Sequence, residues 1–235
     1  MRVKESFSTQ TYEMPEKIFV INMDTRKDRL EYFEKNYNLS DCKGKLTWHR
    51  IPAVVGKDVD WKNGFLTSAG MKDLEYTLKT GKRRDHSSLS LGAVGCYLSH
   101  LQIMKEVVKR NKPCIVCEDD IQFPSNFLEK TKEALQEVPH SSNAIIFFHI
   151  ICDQWKLKCI PLNGNVSKVE QFWSMACYYI TPEAAKTFLE LGQPIEMQID
   201  AAMSSLVQQG KLNLYAFPFV GTNPELGTDI QMHVE

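Results

Sequence analysis

The chain has 235 residues, 43% hydrophobic and 24% charged, enough apolar material for a globular core of one α/β domain. Its 28 basic and 29 acidic residues leave a net charge of −1, which gives no electrostatic reason to expect nucleic acid or an anionic membrane as partner. No apolar run approaches the roughly 18 residues needed to span a bilayer, and the first residues do not read as a leader.

Residues 1–16 are polar and mixed in charge and read as a tail before a single domain over 17–235. Lys17-Ile18-Phe19-Val20-Ile21-Asn22 is the first strand, and Asp24 is the candidate N-cap of a helix over Arg26–Tyr37. A second strand over Leu46–Ala53, with Gly56 in the turn behind it, completes a βαβ opening. Asp58–Ser90 is irregular apart from a short helix over Ser68–Leu78. Long loops of this kind are often lids, so the Lys82-Arg83-Arg84 run is expected either to close over an anionic ligand or to face solvent. Leu91, Val94, Leu98, Leu101, Met104 and Val108 recur at helical spacing behind Ser90 as cap, and Asn111-Lys112-Pro113 stops that helix. Cys114–Cys117 is a strand. Pro124-Ser125 opens a helix that runs to Val138, and Ala144–His149 is a strand. Cys152–Phe172 reads as irregular around an Asn163-Gly164-Asn165 turn, and Met175–Ile180 as a strand. Thr181-Pro182 starts a helix that ends at Gly192. Asp200 opens another helix, closed by Gly210, and Leu212–Phe217 is the last strand. The order predicts an α/β fold with a mixed sheet flanked by helices.

Seven cysteines is an odd number, and Cys96, Cys114, Cys117 and Cys177 fall inside apolar elements. They read as free buried thiols of a reducing compartment, hence a cytoplasmic protein. Cys114-x-x-Cys117 has no second CxxC and lies in a strand, which argues against redox or zinc chemistry.

Two segments carry chemistry. The strand at Cys114 stops on Glu118-Asp119-Asp120, three acids whose mutual repulsion packing does not repay. Hard oxygen ligands at a strand end suit Mg²⁺ or Mn²⁺ bridging to substrate phosphates; the bland alternative is an acidic turn. If the strand continues, Glu118 and Asp120 share a face and Asp119 points into the protein. Upstream, Gly92-Ala93-Val94-Gly95-Cys96-Tyr97-Leu98-Ser99-His100 places two glycines in a first helical turn, at about 1 kcal/mol each relative to alanine. That cost points to close backbone approach, either to a neighbouring element or to a ligand at the helix N-terminus. His100 reads first as a core histidine bonded to a backbone carbonyl. Cys96 and His100 have metal-ligand spacing but lack further partners.

Lys17 to Asp24 with Arg26 and Arg29, Ala53 to Gly56, Gly95-Cys96 with Ser99-His100, and Glu118-Asp119-Asp120 together resemble glycosyltransferase family 25. That family includes lipooligosaccharide and procollagen hydroxylysine galactosyltransferases and has viral members. The likeness continues through Tyr178–Ala185, Pro194 with Ile199-Asp200, and Pro218 with Gly227-Thr228-Asp229-Ile230, and so covers Lys17 to Ile230. It implies a Rossmann-like GT-A fold and inverting transfer of a hexose, usually galactose, from UDP-galactose or UDP-glucose. Mn²⁺ (or Mg²⁺) would assist, and the acceptor would be a glycan or a hydroxylated peptide or lipid-linked hydroxyl. A viral member would act in the host cytoplasm.

On that likeness the donor is expected to meet Asn22, Arg26, Arg29, Ala53, Gly56, Gly95, Ser99, His100 and Glu118. Asp120 is assigned to the metal and Glu118 to the metal or the donor ribose, with His233 or Asp229 completing the shell. Asp200 is the candidate base, with an N-cap as its competing role and Asp153 and Glu183 in reserve. Trp155 is expected beside the acceptor, while Phe172, Trp173, Tyr178 and Tyr179 read mostly as core. Two departures stand out: Ala93 where the family carries glutamate, and Thr228 in place of serine before Asp229-Ile230. Two other classes compete: a catalytically silent sugar-nucleotide or glycan binder, and a Mg²⁺-dependent nucleotidyltransferase or phosphohydrolase. No GxxxxGK[ST] loop supports a nucleoside triphosphatase.

Overall fold

The protein is described from a computed structural model that covers residues 11–151 and 158–227. In chain order the elements are β1 (Lys17–Asn22), α1 (Lys27–Leu39), β2 (Thr47–Pro52), α2 (Ser68–Thr80), α3 (Leu91–Arg110), β3 (Cys114–Glu118) and β4 (Ile121–Gln122). They continue with α4 (Phe127–Glu137), β5 (Ala144–Ile151), β6 (Cys159–Asn163), β7 (Val166–Val169), β8 (Trp173–Ile180), α5 (Pro182–Leu191), α6 (Ile199–Gln208), β9 (Asn213–Ala216) and β10 (Gly221–Thr222). Eight strands form one mixed sheet in the order β2-β1-β3-β8-β5-β9-β7-β6. β1 runs parallel to both β2 and β3, and β3 meets β8 antiparallel.

The central strands are buried on both faces and alternate strictly between two cores. Phe19, Ile21, Cys114, Val116, Tyr178 and Ile180 face α2, α3, α5 and α6. Ile18, Val20, Ile115, Cys117, Cys177 and Tyr179 face α1 and α4. This is the continuous apolar strand pattern of a sheet covered on both sides. The α/β expectation is met. Tyr12, in the segment that reads as a polar tail, is buried in the second core and donates its hydroxyl to the Pro139 carbonyl at 2.8 Å.

Several local expectations change. Asp24 does not cap α1; Arg26 occupies that position without a side-chain cap, and Asp24 pairs with Arg50. The Cys152–Phe172 stretch contains the β6–β7 hairpin around Gly164, which its short, partly exposed strands hid. Five cysteines are free, but Cys159 is disulfide-bonded. The cysteine count therefore no longer argues for a reducing compartment. Among the described residues, no helix is long and apolar enough to cross a membrane.

Of the two costly glycines of α3, Gly95 is explained by backbone contact. A Cβ on Gly95 would lie 2.4 Å from the Val54 carbonyl oxygen, and one on Gly56 would lie 1.8 Å from that of Leu91. The Ser99 hydroxyl fixes the same contact, accepting the Val54 N–H at 2.8 Å and donating to the Gly95 carbonyl at 2.7 Å. The segment behind β2 is thereby locked onto the first turns of α3. Gly95→Ala is expected to lower unfolding stability by about 1–3 kcal/mol, the scale of overpacking a filled site. An unchanged midpoint in urea denaturation would show that the two backbones can part at no cost.

Candidate active site

A cavity of about 520 Å³, within the range of small-molecule sites, opens at the carboxyl ends of β1 and β3. Ligands collect there in open α/β sheets because parallel strands end together and leave loops free to converge. Asn22 and the Glu118–Asp120 acids line it below, Ala53 to Asp58 form one wall, and Gly92, Cys96, Ser99 and His100 of α3 form the other.

Arg29, from the first turns of α1, organises the acids. It donates to Asp119 Oδ1 and Asp120 Oδ2, both at 2.8 Å, and to the Gly227 carbonyl at 2.8 Å. Asn22 donates to the other oxygen of Asp119 at 2.6 Å and accepts from Arg50 Nε at 2.7 Å. Arg26 reaches the Leu226 carbonyl at 2.7 Å. Burial pushes the pKa values of Asp119 and Asp120 up. Asn22 and then Arg29 oppose this at Asp119, and Arg29 opposes it at Asp120. Asp119 points into the protein as expected. Asp120 Oδ1, by contrast, is buried with no hydrogen-bond partner among the described residues.

Glu118 and Asp120 do not form a same-face pair on a continuing strand. β3 ends at Glu118, and the chain turns at Asp119-Asp120. The strand alternation sends Glu118 towards α3, where its Oε1 lies 4.0 Å from His100 Nε2. Cys96 Sγ joins them, with the three ligand atoms within 4.8 Å of one another. Burial, reinforced by Asp120 and Asp119, pushes the Glu118 carboxyl up to about 8. Burial pushes His100 down to about 3 and raises the Cys96 thiol well above its usual range. The cluster is thus a neutral imidazole, a thiol and a largely protonated acid, and the 4.0 Å contact is not an ion pair. His100 is a core histidine, but its partner is the Tyr178 hydroxyl at 2.8 Å and not a backbone carbonyl.

Asp200 is the second residue of α6, not its N-cap; Gln198 holds that position. Its carboxylate accepts the N–H of Ala201 at 2.8 Å and of Ser174 at 3.3 Å. Ser174 has φ +87°, a conformation that non-glycine residues seldom adopt. Burial pushes Asp200 up to about 6 against those N–H groups and the Arg83 charge. Asp200 in turn bears on Glu118 and Cys96. The basic run does not line the cavity. Arg83 is buried and donates to the His86 carbonyl at 3.2 Å, while Arg84 stacks on Tyr76 at 4.2 Å and pairs with Asp73 at 3.8 Å.

Of the expected donor contacts, Asn22, Arg29, Ala53, Gly56, Ser99, His100 and Glu118 line the cavity. Gly95 lies behind its wall, and Arg26 clasps the turn at Leu226. Ala93 is buried in the apolar core, away from the cavity. Glu183 is exposed on α5 and outside the lining. Asp153, Trp155, Asp229 and His233 lie outside the described residues. Arg50 was missed, since an arginine in a short strand carries no sequence signal of the asparagine it holds.

Residues 15–203 match the family described as glycosyltransferase family 25 (LPS biosynthesis protein). Human procollagen galactosyltransferase 2 is 26% identical over 179 residues, covering 73% of this chain and 27% of the relative. The human inactive glycosyltransferase 25 family member 3 is 32% identical over 126 residues, covering 52% and 19%. The procollagen lysyl hydroxylase and glycosyltransferase of Acanthamoeba polyphaga mimivirus is 27% identical over 231 residues, covering 90% and 23%. The chain spans about a quarter or less of the length of these relatives.

Arg29→Met removes the only cation that the structure places between Asp119 and Asp120, among the described residues. Stability is expected to fall by about 3–5 kcal/mol, the cost of leaving buried charge uncompensated. A loss below about 1 kcal/mol in urea denaturation would place Arg29 among surface-type pairs.

Proposed function

The chain belongs to glycosyltransferase family 25, and on that premise we propose that it moves a hexose from a UDP-sugar to an acceptor hydroxyl with inversion. Galactose is the favoured hexose because relatives are named for that transfer. The carrying observation is Asp120, whose inner oxygen is held by Arg29 while its Oδ1 is buried and unpaired beside Glu118 in the cavity. That oxygen fits a hard divalent cation, Mn²⁺ or Mg²⁺, with Asp120 and Glu118 as its protein ligands. A bound cation would neutralise the charge that develops on the departing diphosphate. It would also relieve the repulsion that contributes to holding Glu118 protonated.

The chain's own residues supply the rest. The 53–58 wall and Asn22 bound the cavity that would take the nucleotide, and Arg29 fixes the carboxylate that faces the diphosphate. Asp200 takes the proton from the acceptor hydroxyl as its oxygen bonds to C1 and the C1–O bond to UDP breaks. An inactive member among the relatives favours one second reading, a silent sugar-nucleotide binder. Slow hydrolysis of UDP-galactose without acceptor separates the two, since a silent binder releases no galactose.

Asp120→Ala is expected to lower turnover at least about 100-fold, the scale of losing one group that stabilises developing charge. The base makes a separate prediction. Asp200 acts only when ionised, so with its pKa at about 6 the rate should fall about tenfold per pH unit below that value. Asp200→Asn should lose that limb and about 10²–10⁴ of the rate while retaining UDP affinity. A wild-type rate in Asp200→Asn, or an acid limb near pH 4, would remove Asp200 as the base.

A further inference from the structure

A second cavity, of about 370 Å³, is lined by residues 85–87, Gln171, Trp173 and the α6 face that runs from Ala201 to Gln208. Its walls include Trp173 and Ala201, the chain neighbours of the two residues that enclose the Asp200 carboxylate: Ser174, which donates to it, and Asp200 itself. Asp200 also bears electrostatically on Glu118 and Cys96, which line the first cavity. Asp200 lines neither space, but it is bonded into the wall of the second and lies within electrostatic reach of the first. Resting on the glycosyltransferase reading above, we infer that this second cavity is the acceptor subsite and that it takes a neutral sugar ring.

The chemistry of the walls selects that class. Trp173 is half-buried and its ring meets that of His86 at 5.7 Å, leaving an aromatic wall of the kind that takes the C–H face of a pyranose. Around it stand hydroxyls and amides: Ser87, Gln171, Ser204, Ser205 and Gln208. Ser204 is only 4% exposed, and its Oγ has no partner among the described residues. A buried hydroxyl left unpaired is unfavourable, so a hydroxyl-bearing ligand reaching it would satisfy a standing need.

Charge disfavours the competing class. Asp85 is the one carboxylate lining this cavity, among the described residues. Its Oδ1 already accepts from the N–H and hydroxyl of both Ser87 and Ser88, at 2.7–3.1 Å. The buried Arg83 guanidinium offsets the charges of both Asp85 and Asp200. Among the described residues the one anion lining the cavity is therefore Asp85, already held by four neutral donors, so the walls favour a neutral ring over an ammonium group. The geometry is fixed from outside: Gln198 donates to the His86 and Ser88 carbonyls at 2.8 and 3.0 Å, holding the 85–88 turn against the start of α6.

Saturation-transfer NMR tests the assignment on the full chain with Mn²⁺ and UDP present. The probes are methyl β-galactoside, methyl β-glucoside and methyl β-xyloside, with free 5-hydroxylysine as the amine-bearing comparator. At least one glycoside should be saturated by wild type, and its apparent affinity should fall about tenfold in Trp173→Ala, the scale of losing one aromatic contact. Ser204→Val, which fills the cavity edge without removing the aromatic wall, should weaken the same probe if Trp173→Ala is too unstable to measure. Signals unchanged in both variants, no glycoside signal in wild type, or saturation of hydroxylysine alone would overturn the acceptor assignment. Calorimetry with UDP–Mn²⁺ on wild type is read separately: loss of that binding would strike the donor reading and leave the sugar-binding result standing by itself.

Discussion

The guanidinium of Arg29 joins three parts of the chain at one point. It ties the start of α1 to the acid turn behind β3 and to the backbone at Gly227. Without it, two buried carboxylates would face each other at the ends of two parallel strands, and repulsion would open the turn or protonate one of them. With it, Asp119 is consumed in holding the turn, with Asn22 on its other oxygen, and Asp120 is left with one oxygen to spare. The division of labour among three consecutive acids follows: one faces α3, one anchors, and one presents a ligand atom to the cavity.

The opposite wall depends on absent side chains. Gly56 and Gly95 allow two backbones to touch, and Ser99 pins them through the Val54 N–H. This places the N-terminal turns of α3 beside the acids and excludes water from His100, whose neutrality follows from that burial. Burial also raises Glu118, which lines the donor cavity with Asp120, and Asp200, the proposed base. Carboxyl groups that resist ionisation in or beside a cleft are a usual mark of a functional site, because packing alone gains nothing from them.

Much of this was legible in the sequence, and the failures have physical causes. The acid triplet at a strand end and the glycines of α3 both break local rules for stability, and such breaks are readable wherever no fold-level gain explains them. Their partners were not. Arg29, expected at the donor, lines that cavity and also holds the acids, a role hidden because contacts ninety residues away leave no trace in spacing. The Glu118–Asp120 face was inferred from strand alternation, which fails where the strand ends. The Lys82–Arg84 run looked like a solvated or closing loop because charge runs usually are; Arg83 is instead buried beside Asp85 and Asp200. The β6–β7 hairpin escaped because exposed edge strands lack the alternation that marks buried ones.

The central claim is that the Arg29-held acid turn presents Asp120 to a cation that bridges the donor diphosphate. Calorimetric titration of UDP into wild type and Asp120→Asn, with Mn²⁺ and then with EDTA, tests it most directly. The account predicts that Mn²⁺ tightens UDP binding at least about tenfold in wild type, equivalent to about 1.4 kcal/mol, and has little effect in Asp120→Asn. Equal UDP affinity in Mn²⁺ and in EDTA for the wild-type chain would contradict it.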